Sequence, residues 1–306
     1  LCTSCAVYMS TDHKQTTTKE RTTAVMQLLG GMISLQFGSS AAKTMFPIFG
    51  ATGMVGLRAC FAAVILVIFF RSWTILSWKT LRMAMPYGLV TALMNVFFYL
   101  ALQRIPLGMT VAIEFTGPLF LAFLHSQRLA DVGWLLLTVT GLVLLLRPSH
   151  TTSPDTLGVL FALGAATCWA FYVVFGKRLI GKMAPGHACA LGQLCGGISL
   201  FFPCFVPALI TGSSHPSLLA LGFIVALCSS AIPYALEMRA MHTLSARELG
   251  IFYSLEPVCA VLAGVLILHE HLELLRFCGI LLVAAASAGT VIMPEKKDRP
   301  TSSSHT

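Results

Sequence analysis

Charge is what this 306-residue sequence has least of. Asp, Glu, Lys and Arg make up only 10% of it, against 56% apolar residues and a mean hydropathy of +0.82. Soluble domains carry about 25% charge, so this chain has too little to cover a surface facing water. Long polar stretches are missing too. The gaps between apolar runs are mostly about 4 to 12 residues, which leaves no room for an inserted soluble domain of some 50 residues or more. These loops are also poor in Asp, so they lack the catalytic cluster that a membrane-embedded transferase needs for an activated donor. An enzyme is not expected.

Metal-ligand patterns are equally sparse. Cys2 and Cys5 form a C-x-x-C with no second pair and no His at ligand spacing, and His269-Glu270-His271 has no further ligands close by in sequence, so neither reads as a metal site. Eight of the ten cysteines lie within apolar runs, where Cys behaves as a small apolar side chain. No cofactor is expected beyond an ion gradient.

What the chain does have is apolar runs of about 17 to 23 residues, recurring almost end to end. A helix of about 20 residues crosses roughly 30 Å of hydrocarbon. The runs predict ten spans, at 24–46, 51–70, 83–103, 107–125, 130–147, 157–176, 186–207, 217–240, 248–268 and 273–293. The expected class is an all-α membrane protein, with polar tails at 1–23 and 294–306. The chain begins at Leu1, while Met9 opens an ordinary polar tail, so the first eight residues are set aside from the fold reading.

Net charge is +8, which in a soluble protein would suggest nucleic acid. Here its distribution decides. With the N-terminus in the cytoplasm, fifteen Lys and Arg fall inside, among them Arg71, Lys79, Arg82, Lys177, Arg178 and Lys182, and only Arg104, Arg147 and Arg276 fall outside. That asymmetry orients a bacterial inner-membrane protein with both termini cytoplasmic. The partners expected are the lipid bilayer and a small-molecule substrate, with no nucleic acid.

The halves of the chain resemble each other. Leu29-Gly30-Gly31 and Lys43 match Leu163-Gly164-Ala165 and Lys177 at an offset of 134, and Ala101 and Pro118 match Ala240 and Pro257 at an offset of 139. Five helices per repeat would insert the second copy upside down, giving repeats at 24–147 and 157–293. Inverted repeats are a common plan of secondary transporters, whose substrate site lies near the midplane.

A charge in hydrocarbon is unfavourable by about 2.5–3.5 kcal/mol on insertion scales, so each one marks a candidate site. Lys43, Arg58, Glu114, Glu237 and Glu256 qualify. Glu114 lies about seven residues below the outer end of its span, or ~10 Å at 1.5 Å per residue, and Glu256 approaches the midplane from the inner side. Two carboxylates facing one cavity can bind an ammonium group or exchange a proton. Lys43, close to the outer end, can snorkel, whereas Arg58, about seven residues into its span, is harder to bring out and reads as a carboxylate ligand or as the partner of a helix C-terminus. Lys43 or Arg58 is thus expected to meet a substrate carboxylate. Glu237, followed by Arg239, reads as part of an interfacial network near the inner end of its span. Pro118 and Pro257 are expected as mid-span hinges, and Gln36, Asn95, Gln193 and Tyr234 add neutral hydrogen-bonding groups.

The segments FYLALQRIPLGMTVAIEFTGPL (98–119), AIPYALEM (231–238), SLEP (254–257) and CWAFY (168–172), with Ser34, Gln36, Gly38 and Lys43, resemble the amino-acid exporters of the EamA group in the drug/metabolite transporter superfamily. The resemblance covers residues 24–293. It implies ten helices in two inverted repeats, cytoplasmic termini, and efflux of small amino acids such as threonine and homoserine coupled to proton entry. By matched motif it carries over Lys43, Glu114, Pro118, Tyr234, Glu237 and Glu256 as functional positions. Other members of the superfamily move aromatic or sulfur amino acids, nucleosides, purines or cationic drugs, which stand as alternative substrates. The outer loop departs from the pattern, with His269 where a glycine often precedes the glutamate.

Overall fold

The computed structural model describes residues 18–117, 120, 129–146, 155–214, 216–244, 249, 252–270 and 273–292. These are helical almost throughout: α1 (Thr18–Thr44), α2 (Phe46–Phe69), α3 (Trp78–Leu102), α4 (Leu107–Glu114), α5 (Leu129–Leu146), α6 (Thr156–Ile180), α7 (Pro185–Ser213), α8 (Pro216–Thr243), α9 (Glu256–Leu268) and α10 (Leu274–Ile292). Helices α2, α3, α6, α7 and α8 are long and apolar enough to cross a membrane. Although long, α1 carries Ser34, Gln36, Ser39, Ser40 and Lys43 and is the most polar of the long helices.

Local chemistry moves several ends away from the apolar boundaries. Expected from residue 24, α1 is already helical from Thr18, the first described residue, and there the hydroxyls of Thr22 and Thr23 donate to the carbonyls of Thr18 and Lys19. Likewise α3 starts five residues before position 83, at a capping box: the Thr80 N–H donates to Ser77 Oγ at 3.2 Å and the Ser77 N–H to Thr80 Oγ1 at 3.0 Å. Such a box satisfies two helix-end donors reciprocally. At the start of α6, Asp155 accepts from the Leu157 N–H at 3.0 Å. The α1–α2 corner places Pro47 in the first turn of α2 and Gly50 at φ +68°, ψ 168°, a backbone that only glycine adopts without strain.

Proline shapes the interior of two long helices. A π-helical turn at Phe201–Phe205 surrounds Pro203 in α7, and a second at Leu227–Ala231 precedes Pro233 in α8. Proline has no N–H, so the carbonyl four residues earlier loses its donor, and the wider turn redistributes the mismatch. Pro257 corrects the sequence reading. The apolar run 248–268 is not one helix with a central kink: the chain turns at Ser254–Leu255 and α9 begins at Glu256. Pro257 therefore stands in a first turn, where a missing N–H breaks no bond. Pro118 lies outside the described residues. Near it, α4 ends at Glu114 with a turn at Phe115.

Helices from the two halves of the chain pack mainly on one another. The principal pairs are α1 with α8 and α9, α2 with α7 and α8, α3 with α6 and α7, α4 with α6 and α9, and α5 with α10. Membrane helices gain most from close backbone approach at small residues. A Cβ added at Gly38 of α1 would lie 2.7–2.9 Å from Ser229 of α8, and one at Gly56 of α2 would lie 2.5 Å from the backbone of Cys204 and Phe205 in α7. These two contacts press α1 and α2 onto the π-helical turns.

Candidate functional site

Where α1, α2, α3, α4, α6 and α8 meet the start of α9, they enclose a cavity lined by Gln36, Arg58, Asn95, Glu114, Tyr234, Glu237 and Glu256, with Trp169, Tyr172 and Tyr253 in its wall. The charged groups have little access to solvent: Arg58 is 2% exposed, Glu256 6% and Glu114 7%. Buried charges persist only where they are paired, hydrogen-bonded or able to change protonation, so three carboxyls and one guanidinium lining one cavity mark it as the candidate site.

Backbone breaks place the acids. Glu114 is the last residue of α4 and Glu256 the first of α9, so each sits beside a discontinuity that opens its helix toward the cavity. Gln36 of α1 donates through Nε2 to Glu256 Oε1 at 3.1 Å. Tyr253 donates a short hydrogen bond to Glu237 Oε1. This corrects the reading of Glu237 as half of an interfacial network with Arg239. Glu237 points into the cavity, whereas the Arg239 guanidinium lies 5.7 Å from the centre of the Phe70 ring. Asn95 donates through Nδ2 to the Thr91 carbonyl at 2.8 Å and to the Tyr234 hydroxyl at 2.9 Å. An aromatic wall completes the cavity, with Phe115 edge-on to Trp169 and Trp169 edge-on to Tyr253, the ring centres 5.5 and 5.8 Å apart.

Arg58 is held by the π-helical turn of α8. Its Nε donates to Ser230 Oγ and its Nη2 to the Ser229 carbonyl, both at 2.8 Å, and the guanidinium carbon lies 4.8 Å from the centre of the Tyr99 ring. Ser229 is four residues before Pro233, so its carbonyl has no helical N–H donor. The neighbouring Cys228 carbonyl is also left over, because the Ile232 N–H bonds to Leu227 instead. It accepts from Ser34 Oγ of α1 at 2.6 Å. Arginine and serine thus cap what proline and the π-turn expose.

Lys43 does not line this cavity. It lies on α1 seven residues beyond Gln36, and its Nζ is 2.8 Å from Glu270 Oε1. The same carboxylate accepts from the Leu107 N–H at the start of α4, at 3.0 and 3.2 Å. The structure thus brings together Arg58, Glu114, Tyr234, Glu237 and Glu256 of the expected residues and leaves Lys43 apart. Sequence reasoning missed Ser229, Ser230, Tyr253 and the role of Glu270. For the two serines a signal existed, since a proline in an apolar run frees the carbonyl four residues before it.

Comparison with known proteins decides the family. The chain is 38% identical over 279 residues to the protein named threonine/homoserine exporter RhtA of Escherichia coli K12, covering 90% of this chain and 93% of that protein. The chain belongs to the EamA-like transporter family. The EamA-like family pattern itself matches residues 156–292. The family member of that name in Salmonella typhimurium LT2 is 39% identical over 272 residues, covering 88% of this chain and 91% of its own length. A more distant relative, the uncharacterized transporter YvbV of Bacillus subtilis, is 26% identical over 223 residues, 67% of this chain and 72% of YvbV. A crystal structure at 17% identity shares the fold, with a TM-score of 0.55 over 88% of this chain and 95% of its own. This EamA-like protein is a membrane transporter.

Proposed function

We propose that this protein exports threonine, homoserine and similar small amino acids across the bacterial inner membrane in exchange for protons. The substrate assignment draws on the relatives bearing that name, which match nearly the whole chain. The observation that carries the mechanism is the meeting of Glu114 and Glu256, from opposite halves of the chain, at one buried cavity that also holds Arg58. A zwitterion needs charges of both signs, and the cavity offers them with little water to compete. In this reading Glu114 and Glu256 hold the substrate ammonium or the incoming proton, Glu237 and Tyr234 complete the wall, and the breaks beside Pro118 and Pro257 act as hinges.

The transport frame is ten spans in two inverted sets of five, with both termini cytoplasmic. Three observations support it. The basic residues fall on one side under that threading. The helix breaks at Phe115 and Ser254 stand 139 residues apart, the offset that relates Pro118 to Pro257. The packing is also symmetric under exchange of halves, since α1 with α8 corresponds to α6 with α3, and α1 with α9 to α6 with α4.

Proteoliposomes loaded with threonine, with and without an imposed pH gradient, test the proposal. Wild-type efflux should rise with an inward proton gradient, and Glu114→Gln or Glu256→Gln should remove that rise. Wild-type rates and pH response in both variants would sink the mechanism.

A further inference from the structure

Arginine has five N–H bonds. The Nε of Arg58 spends its one on Ser230 and Nη2 spends one of two on Ser229. Nη1 is buried without a hydrogen-bond partner, on a residue that lines the cavity. The fork formed by Nη1 and the second N–H of Nη2 remains, and it matches the two oxygens of a carboxylate. Tyr99 stacks on the guanidinium and so holds its plane. No other described cation lines the cavity, since Lys43 is engaged by Glu270.

We infer that the Nη1 edge of Arg58 receives the substrate's free α-carboxylate, and that Ser230 is the positioning residue that aims it. This rests on the reading above that the cavity takes an amino acid. The arrangement makes the π-helical turn of α8 part of substrate selection: Pro233 frees the Ser229 carbonyl, that carbonyl and Ser230 fix one edge of the guanidinium, and the opposite edge faces the ligand. Ser34, bonded to Cys228, and Gly38, in contact with Ser229, press α1 against the same turn. A compound keeping the ammonium and side chain but lacking the carboxylate leaves the fork unsatisfied in a dry site, which disfavours it strongly.

The test is transport by the purified protein in proteoliposomes, with threonine and threonine amide as substrates. The wild type should prefer threonine by roughly 100-fold in kcat/KM, in line with loss of a charged hydrogen-bonded pair. Ser230→Ala should raise the KM for threonine about 3- to 10-fold, with kcat within about twofold and the weak amide transport unchanged. Ser230→Thr, which keeps the hydroxyl, should restore the KM. Arg58→Lys should lose most of the preference, because an ammonium cannot reproduce the fork. Equal wild-type transport of threonine and its amide would overturn the inference, as would an unchanged KM in Ser230→Ala. Should Arg58→Lys fail to fold, the two Ser230 variants decide. A wild type that moves neither threonine nor homoserine removes the exporter reading first and this inference with it.

Discussion

Glu270 Oε1 lies 2.8 Å from Lys43 Nζ, and the same carboxylate accepts from the Leu107 N–H. One acid thus ties the C-terminal end of α1 and the start of α4 to the residues just after α9, and these three helices carry Gln36, Glu114 and Glu256 in the cavity. Glu270→Ala removes both an ion pair and a helix cap, worth about 1–2 kcal/mol together. Lys43→Ala removes only the partly exposed pair, worth about 0–1 kcal/mol. Thermal unfolding in detergent should therefore place Glu270→Ala clearly below Lys43→Ala, and equal midpoints would disprove the double role.

His269 ends α9 with φ 51° and ψ 35°, in the left-handed region. It stands where the family resemblance leads one to expect a glycine, and the backbone fits that expectation, since only glycine enters this region without steric penalty. His269→Gly is expected to raise stability by about 0.5–1 kcal/mol with export unchanged. A lower unfolding midpoint would contradict this.

Gly38 and Gly30 lie on the same helix and should respond in opposite ways. A Cβ at Gly38 would meet the Ser229 backbone at 2.9 Å, whereas one at Gly30 meets nothing within 4 Å. Gly38→Ala should destabilise by about 1–3 kcal/mol through overpacking and disturb the turn that holds Arg58. Gly30→Ala should be neutral or stabilising by up to about 1 kcal/mol. Unfolding midpoints together with threonine KM values would separate the two.

Asp155 offers a control for pH effects. The Arg104 guanidinium, 2.6 Å away, holds its carboxyl below the ordinary carboxylate range, helped by the Leu157 N–H. A depressed value means that any stabilisation is present above the ordinary range and lost only as pH falls through it, below about pH 4. Asp155→Asn should therefore leave the pH dependence of export between pH 5 and 8 unchanged. A shifted profile in that window would mean that the pair is coupled to the transport site.

Much of the fold was legible in the sequence, since hydropathy is local. The run at 51–70 appears as α2 and the run at 217–240 as α8, each extended by a few residues. The ends shifted where side chains cap the backbone, as Ser77 does for α3. The prolines were visible in the sequence and their consequences were not. Pro257 looks like a mid-span kink when its run is read as one helix, and only the turn at Ser254–Leu255 makes it a helix start. For the site, burial of Arg58, Glu114 and Glu256 followed from their place in apolar runs. Lys43 was legible as a cation near the end of its span, but its pairing with Glu270 outside the cavity was not.

The sequence by itself determined that this protein lives in a membrane and that a few charges must be buried there. Both follow from the transfer energies of side chains, which act residue by residue. Only the tertiary structure decided which charges share a cavity. Arg58 meets Ser230 across 172 residues of chain, Gln36 meets Glu256 across 220, and Lys43 meets Glu270 across 227. Such pairings depend on helix rotation and on close approach at positions such as Gly38, which no local pattern encodes. Scarcity of charge identified the solvent, and packing chose the partners of the few charges that remained.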